Sequence, residues 1–142
     1  MDTRKMEKIT ALVISTIVVG LSFFKVWDWQ TVGIYAGSDI AGRVLYPFFH
    51  ANILHASLNS WCLLSMVFIY DIGIWRLVLA YIIAVTIPVD TIECFIGEMT
   101  SPTVGLSGIV FVLFGSISFE VLRKQYYPVS YTHLTLPTKL EV

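Results

Sequence analysis

Four polar side chains interrupt otherwise apolar stretches of this 142-residue sequence: His50, His55, Asn59 and Ser107. Each is expensive to place in hydrocarbon, so each points to function by default. His55 and Asn59 are four apart and share one face of a helix. His50, five before His55, is expected to point elsewhere and to sit nearer the surface. Ser107 stands between Gly105 and Gly108, which remove side-chain bulk and let a substrate or a neighbouring helix come close. Gly108 and Gly115 are seven apart and share a face. Taken singly, these residues are explained by packing: His and Asn as interhelical hydrogen-bond glue, the glycines as small-residue contacts. Taken together they make a different chemistry. A hydroxyl near an imidazole and a carboxamide that can donate to a developing oxyanion is an acyl-transfer arrangement.

The elements that must hold these groups are membrane helices. The chain is 56% hydrophobic, with a mean hydropathy of +0.77 and only 13% charged residues. A soluble domain of this size carries about 25% charged residues. Apolar runs cover about 9–24, 50–70, 74–89 and 104–122, and a spanning helix needs about 20 residues. Residues 1–8, with Arg4, Lys5 and Lys8, form a short charged N-terminus. A signal peptide shares that basic start, but there is no A-x-A-like cleavage site and the run is long for an h-region. Residues 25–49, with Trp27, Asp28, Trp29, Asp39 and Arg43, read as a loop at the membrane interface, where tryptophan concentrates. Asp90 to Pro102 reads as a polar loop.

Charge fixes the expected orientation. With alternating spans, Arg4, Lys5, Lys8, Arg76, Arg123 and Lys124 fall on one side, and Lys25 and Arg43 on the other. The positive-inside rule then puts the N-terminus in the cytoplasm and the start of the fourth helix outside. Ser107 opens the fourth helix and His55 lies early in the second, so the two come to similar depth, with Asn59 about one turn deeper.

Other chemistries are poorly supported. The net charge is -1 and no basic run follows an aromatic pattern, so nucleic-acid binding is not expected. Cys62 and Cys94 suggest neither a disulfide framework nor a metal knuckle. A metal site or ion pathway on His50 and His55 would need both imidazoles on one face, which a spacing of five does not give. The carboxylate of Glu120 lies at the opposite end of the membrane.

His50-Ala-Asn-Ile-Leu-His55-Ala-Ser-Leu-Asn59 resembles the H-x-x-x-x-H-x-x-x-N pattern of the rhomboid intramembrane serine proteases, and Gly105-Leu106-Ser107-Gly108 resembles that family's G-x-S-G at the start of its fourth helix. The stretch from Gly42 to Phe49 is similar to the family's approach to helix two. The resemblance covers about residues 9–127. It implies an all-α polytopic transmembrane bundle with four of the six core helices, in a bacterial inner (plasma) membrane. It also implies an intramembrane endopeptidase that cuts single-span membrane proteins near the outer end of their helix, with the lipid bilayer as its other partner and no cofactor. Ser107 would be the nucleophile. His55, Asn59 and the Ser107 backbone N–H would form the oxyanion hole. His50 would support local structure and water access, and Gly105, Gly108 and Gly115 would serve helix packing.

The sequence departs from the family at its C-terminal side. The family's general base is a histidine on a sixth helix, in an A-H-x-x-G motif. The remaining histidine here, His133, sits in Tyr131-Thr132-His133-Leu134-Thr135, which does not resemble that motif. Residues 128–142 have no spanning run and resemble translated adapter sequence, so they are expected to be foreign to the natural protein. A serine without a base is a poor nucleophile, so the fragment is expected to be inactive. The alternative is a non-catalytic rhomboid-like pseudoprotease that binds client transmembrane helices, a reading disfavoured by the retention of Ser107, His55 and Asn59 together.

Overall fold

The computed structural model describes residues 3–24, 27–35, 37–70, 72–87 and 101–126. Among the described residues all regular structure is helical: α1 (Thr3–Leu21), α2 (Trp29–Val32), α3 (Ile40–Leu45), a 3-10 turn at Tyr46–Phe48, α4 (Ile53–Ile69), α5 (Ile74–Thr86) and α6 (Ser107–Tyr126). The polar loop from 90 to 100 with Cys94, and the 128–142 tail with His133, lie outside the described residues.

Three of the helix starts have a side-chain cap in the sequence. Asp28 accepts from the Gln30 N–H at 3.1 Å and starts α2, and Asp39 accepts from the Gly42 N–H at 2.8 Å and starts α3. The side-chain oxygen of Asn52 accepts from the His55 N–H at 2.8 Å and starts α4. Each satisfies a backbone donor that the first turn of a helix leaves open. The segment expected as an interface loop is therefore two short capped helices and a 3-10 turn, with Pro47 where its missing N–H is not needed.

The long helices bury narrow stripes of small and medium side chains. α4 buries Ala56, Ser60, Leu63 and Val67, α5 buries Leu77, Ala80 and Ala84, and α6 buries Ile109, Leu113 and Ile117. These residues recur at three- and four-residue steps, the spacing of one helix face. α1 packs along α4, α5 packs along α6, and α4 also touches α6. The outward faces are apolar too. Leu54, Trp61, Ile69, Trp75 and Phe119 are each about two-thirds exposed or more. Helices that are apolar all round, with their largest side chains outside, are shaped for a lipid solvent.

Helix limits differ from the apolar runs in instructive ways. α1 begins at Thr3, so the charged N-terminus expected at 1–8 is largely its first two turns, and it ends at Leu21. α4 begins three residues after His50, and α5 ends at Thr86. Among the described residues no single helix is long and apolar enough to cross a membrane; the pair Ile40–Phe48 and Ile53–Ile69, bent by 80°, passes together. α1 and α6 fall short through the charges at one end, and α5 has only 13 residues.

Those charged ends meet. The Glu7 carboxylate accepts from the Ile74 N–H at 3.3 Å, joining α1 to the start of α5. Arg76 donates to Ser116 Oγ at 2.9 Å and to Glu120 at 2.8 Å, joining α5 to α6, and Lys124 pairs with the same carboxylate at 2.6 Å. The Lys8 ammonium lies 5.2 Å from the Phe68 ring centre. The other end of the bundle is closed by backbone. Ile34 and Thr103 exchange two N–H···O bonds of 2.9 Å, the one isolated bridge among the described residues. Tyrosines tie the same end to α5: Tyr46 donates to the Ala84 carbonyl at 2.7 Å and Tyr81 to the Val44 carbonyl at 3.0 Å.

Candidate functional site

Ser107 is the first residue of α6 and is half-buried. Val110 donates to the Leu106 carbonyl at 3.2 Å, which makes Leu106 the residue before the first turn. The N–H groups of the first helical residues have no partner inside the helix, so the nucleophile candidate sits where donors and the positive end of the helix dipole face outward.

The three amides around the serine are not equivalent. The Gly105 N–H donates to the Tyr46 carbonyl at 2.9 Å. The Leu106 N–H donates to His50 Nε2 at 3.1 Å. The Ser107 N–H is the next in line and has neither of these bonds.

Two side chains of α4 flank this turn. Gly105 has φ of +143°, and a Cβ built there would stand 3.3 Å from His55 Cε1, 3.6 Å from His55 Nε2 and 3.7 Å from Asn59 Nδ2. His55 and Asn59 thus lie on one face of α4, against the backbone two residues before Ser107. Both are half-buried. Gly105 is needed twice over: for a backbone angle that side chains rarely adopt, and for room beside the imidazole.

His50 departs from expectation. The spacing of five predicts that it turns away from His55 and lies nearer the surface. It precedes the helix rather than belonging to it, and its ring folds back to 5.0 Å from the His55 ring, edge to face, with 3% of its surface exposed. Helical spacing does not govern a residue in the bend before a helix. The Leu106 N–H can only donate, so Nε2 must be the unprotonated nitrogen. Asn59 Nδ2, 3.0 Å from the same atom, then also donates to it. The proton lies on Nδ1, which is buried and makes no well-formed hydrogen bond among the described residues. His50 therefore clasps Asn59 and the turn before Ser107 through one atom.

The remaining candidates separate. Gly108 is buried in the first turn of α6. Gly115 is exposed, and nothing among the described residues comes within 4 Å of a Cβ placed there. A groove of about 660 Å³ opens between α4 and α6, lined by Trp61, Met66, Phe114 and Leu122 among others. Among the described residues no cluster of three or more His, Cys, Asp or Glu could hold a metal ion. Reasoning from the sequence missed Tyr46, Asp28 and Asp39 as supports of the site; an Asp placed just before a short helical segment was the available signal for the last two.

Matching to protein-family models finds the Rhomboid domain over residues 37–135. The match runs from just before α3 to beyond the end of α6, and includes His50, His55, Asn59 and Ser107. No curated protein and no solved structure matches the chain.

Proposed function

The chain belongs to the rhomboid family of membrane proteins, and from that premise we propose that it carries the nucleophile and oxyanion half of an intramembrane serine endopeptidase. The reading rests on one observation: His55 and Asn59 abut the backbone at Gly105, two residues before Ser107. In this reading the Ser107 hydroxyl attacks a peptide carbonyl of a single-span substrate near the outer end of its helix. The carbonyl oxygen, as it gains charge, is held by His55, Asn59 and the Ser107 N–H. Donors fixed before the reaction are effective because they need no reorganisation in the transition state, and each is worth about 2.7–4 kcal/mol there. Gly105 and Leu106 have already committed their N–H groups, which leaves the Ser107 amide for this task.

The hydroxyl still needs a base. His50 Nε2 already accepts two N–H groups, so it is not the base. The family resemblance places the base on a sixth helix, and the 142 residues as they stand are proposed to be inactive without it. The bilayer is proposed to be a bacterial inner membrane, with the N-terminus in the cytoplasm and the site opening outward.

A reconstituted assay tests this. The chain in liposomes is expected neither to cut a single-span reporter nor to react with a fluorophosphonate. Joined to a fifth and sixth rhomboid helix carrying the histidine, it is expected to do both, and Ser107→Ala to abolish both. A joined, folded protein that binds the reporter but never reacts at Ser107 would favour the pseudoprotease, which binds client helices without cutting them.

A further inference from the structure

We propose that Gly33 and Gly42 are positioning residues for the nucleophile, linking the short helix α3 to the backbone that carries Ser107. The inference rests on the reading of Ser107 as nucleophile and adds to it the part of the fold that sets its place. A Cβ on Gly42 would stand 2.5 Å from the Gly33 carbonyl oxygen, and a Cβ on Gly33 would stand 2.7 Å from Pro102 Cβ and 2.7 Å from the Trp29 carbonyl oxygen. Real Cβ atoms do not approach that closely, so α3, the Gly33 backbone and Pro102 form a stack with no side chain between its layers.

Backbone conformation does not account for these glycines. Gly33 has φ of -96° and ψ of 162°, which any residue adopts, and Gly42 is inside α3. What they supply is room. The other end of the stack is the site. Pro102 is followed by Thr103, which is bonded both ways to Ile34, next to Gly33. Gly105 is then fixed on Tyr46, at the end of α3, and Leu106 on His50. Among the described residues, the hydrogen bonds that hold Thr103 and the Gly105 and Leu106 N–H groups all come from the segment 34–50. A displacement of α3 by the width of a methyl group must therefore move Pro102 or break the Ile34–Thr103 pair. Among the described residues, nothing comes within 4 Å of a Cβ placed on Gly20, Gly37 or Gly115.

The test reads the loop directly and does not require catalysis. Amide hydrogen exchange and amide resonances of the chain in detergent micelles are compared for the wild type, Gly42→Ala and the control Gly115→Ala. Gly42→Ala is expected to speed exchange at Ile34, Thr103, Gly105 and Leu106 by about tenfold or more and to shift the Ser107 amide resonance, while α1 and mid-α4 amides keep their rates. Gly115→Ala is expected to leave all of these unchanged. Should Gly42→Ala fail to fold, Pro102→Gly serves, since it removes the side-chain layer that meets Gly33 and is expected to loosen the same four amides. Unchanged exchange at these amides in a folded Gly42→Ala or Pro102→Gly protein overturns the proposal. If Ser107 proves unreactive in the extended protein while the exchange result holds, the nucleophile reading fails and the coupling of α3 to the α6 turn stands.

Discussion

At the scale of single residues, the site depends on which groups are already bonded. His50→Ala would leave the Leu106 N–H and the Asn59 carboxamide without their shared acceptor. A buried donor left open costs about 1–3 kcal/mol, so the variant is expected to lose at least that much stability in a thermal or denaturant titration. The tautomer gives a sharper check. Nitrogen NMR of His50 is expected to show an unprotonated Nε2 and a protonated Nδ1; the opposite pattern would rule out the clasp. Gly105→Ala is expected to destabilise by about 1–3 kcal/mol, because φ of +143° strains any side chain and the new methyl meets His55. The pair His55 and Asn59 was legible from the sequence, because a four-residue step inside a helix fixes a common face. The place of His50 was not. It lies before the N-cap Asn52, where the chain bends, and period arguments hold only inside the helix.

At the scale of elements, the two ends of the bundle are closed by different means. One end uses ions. Arg76 is three-quarters buried while Lys124 is largely exposed, although both reach the Glu120 carboxylate. A double-mutant cycle of Arg76 with Glu120 is therefore expected to show a larger coupling than one of Lys124 with Glu120, and added salt is expected to weaken the second more. Equal couplings would argue against the distinction. The other end uses backbone and tyrosine. Tyr46→Phe would remove the bond to the Ala84 carbonyl and is expected to cost about 1 kcal/mol of stability. The sequence made the long helices legible through their apolar runs. It hid the short ones, because α2 and α3 are only 4 and 6 residues and carry no period. Their caps, Asp28 and Asp39, read in the sequence simply as charges on a loop.

At the scale of the whole molecule, the outward apolar surface is the dominant feature. Trp61 and Trp75 are 72% and 80% exposed, against 36% and 37% for Trp27 and Trp29. In liposomes, quenchers carried on lipid chains are expected to quench Trp61 and Trp75 strongly in single-tryptophan variants, and water-soluble quenchers to leave them bright. The reverse pattern would place these helices outside the bilayer. The all-helical class was legible from composition and apolar runs, because few charges and long uncharged stretches leave helices as the way to satisfy the backbone in lipid. The tight glycine stack was not legible. Nothing in the sequence distinguishes Gly33 and Gly42 from Gly20 and Gly115 until the chain is folded, since close approach is a property of what comes from elsewhere.

The bonds that complete the turn before Ser107 also set an order of assembly. Leu106 meets His50 across 56 positions of sequence, and Thr103 meets Ile34 across a wider gap still. A ribosome delivers α3 and the imidazole of His50 long before it delivers their partners. Through the synthesis of α4 and α5, the Ile34 backbone and the His50 ring are in place before the Thr103 and Leu106 groups they bond. The arrival of α6 closes them together, so Ser107 comes with the piece that locks the loop, and a chain halted before it lacks these bonds.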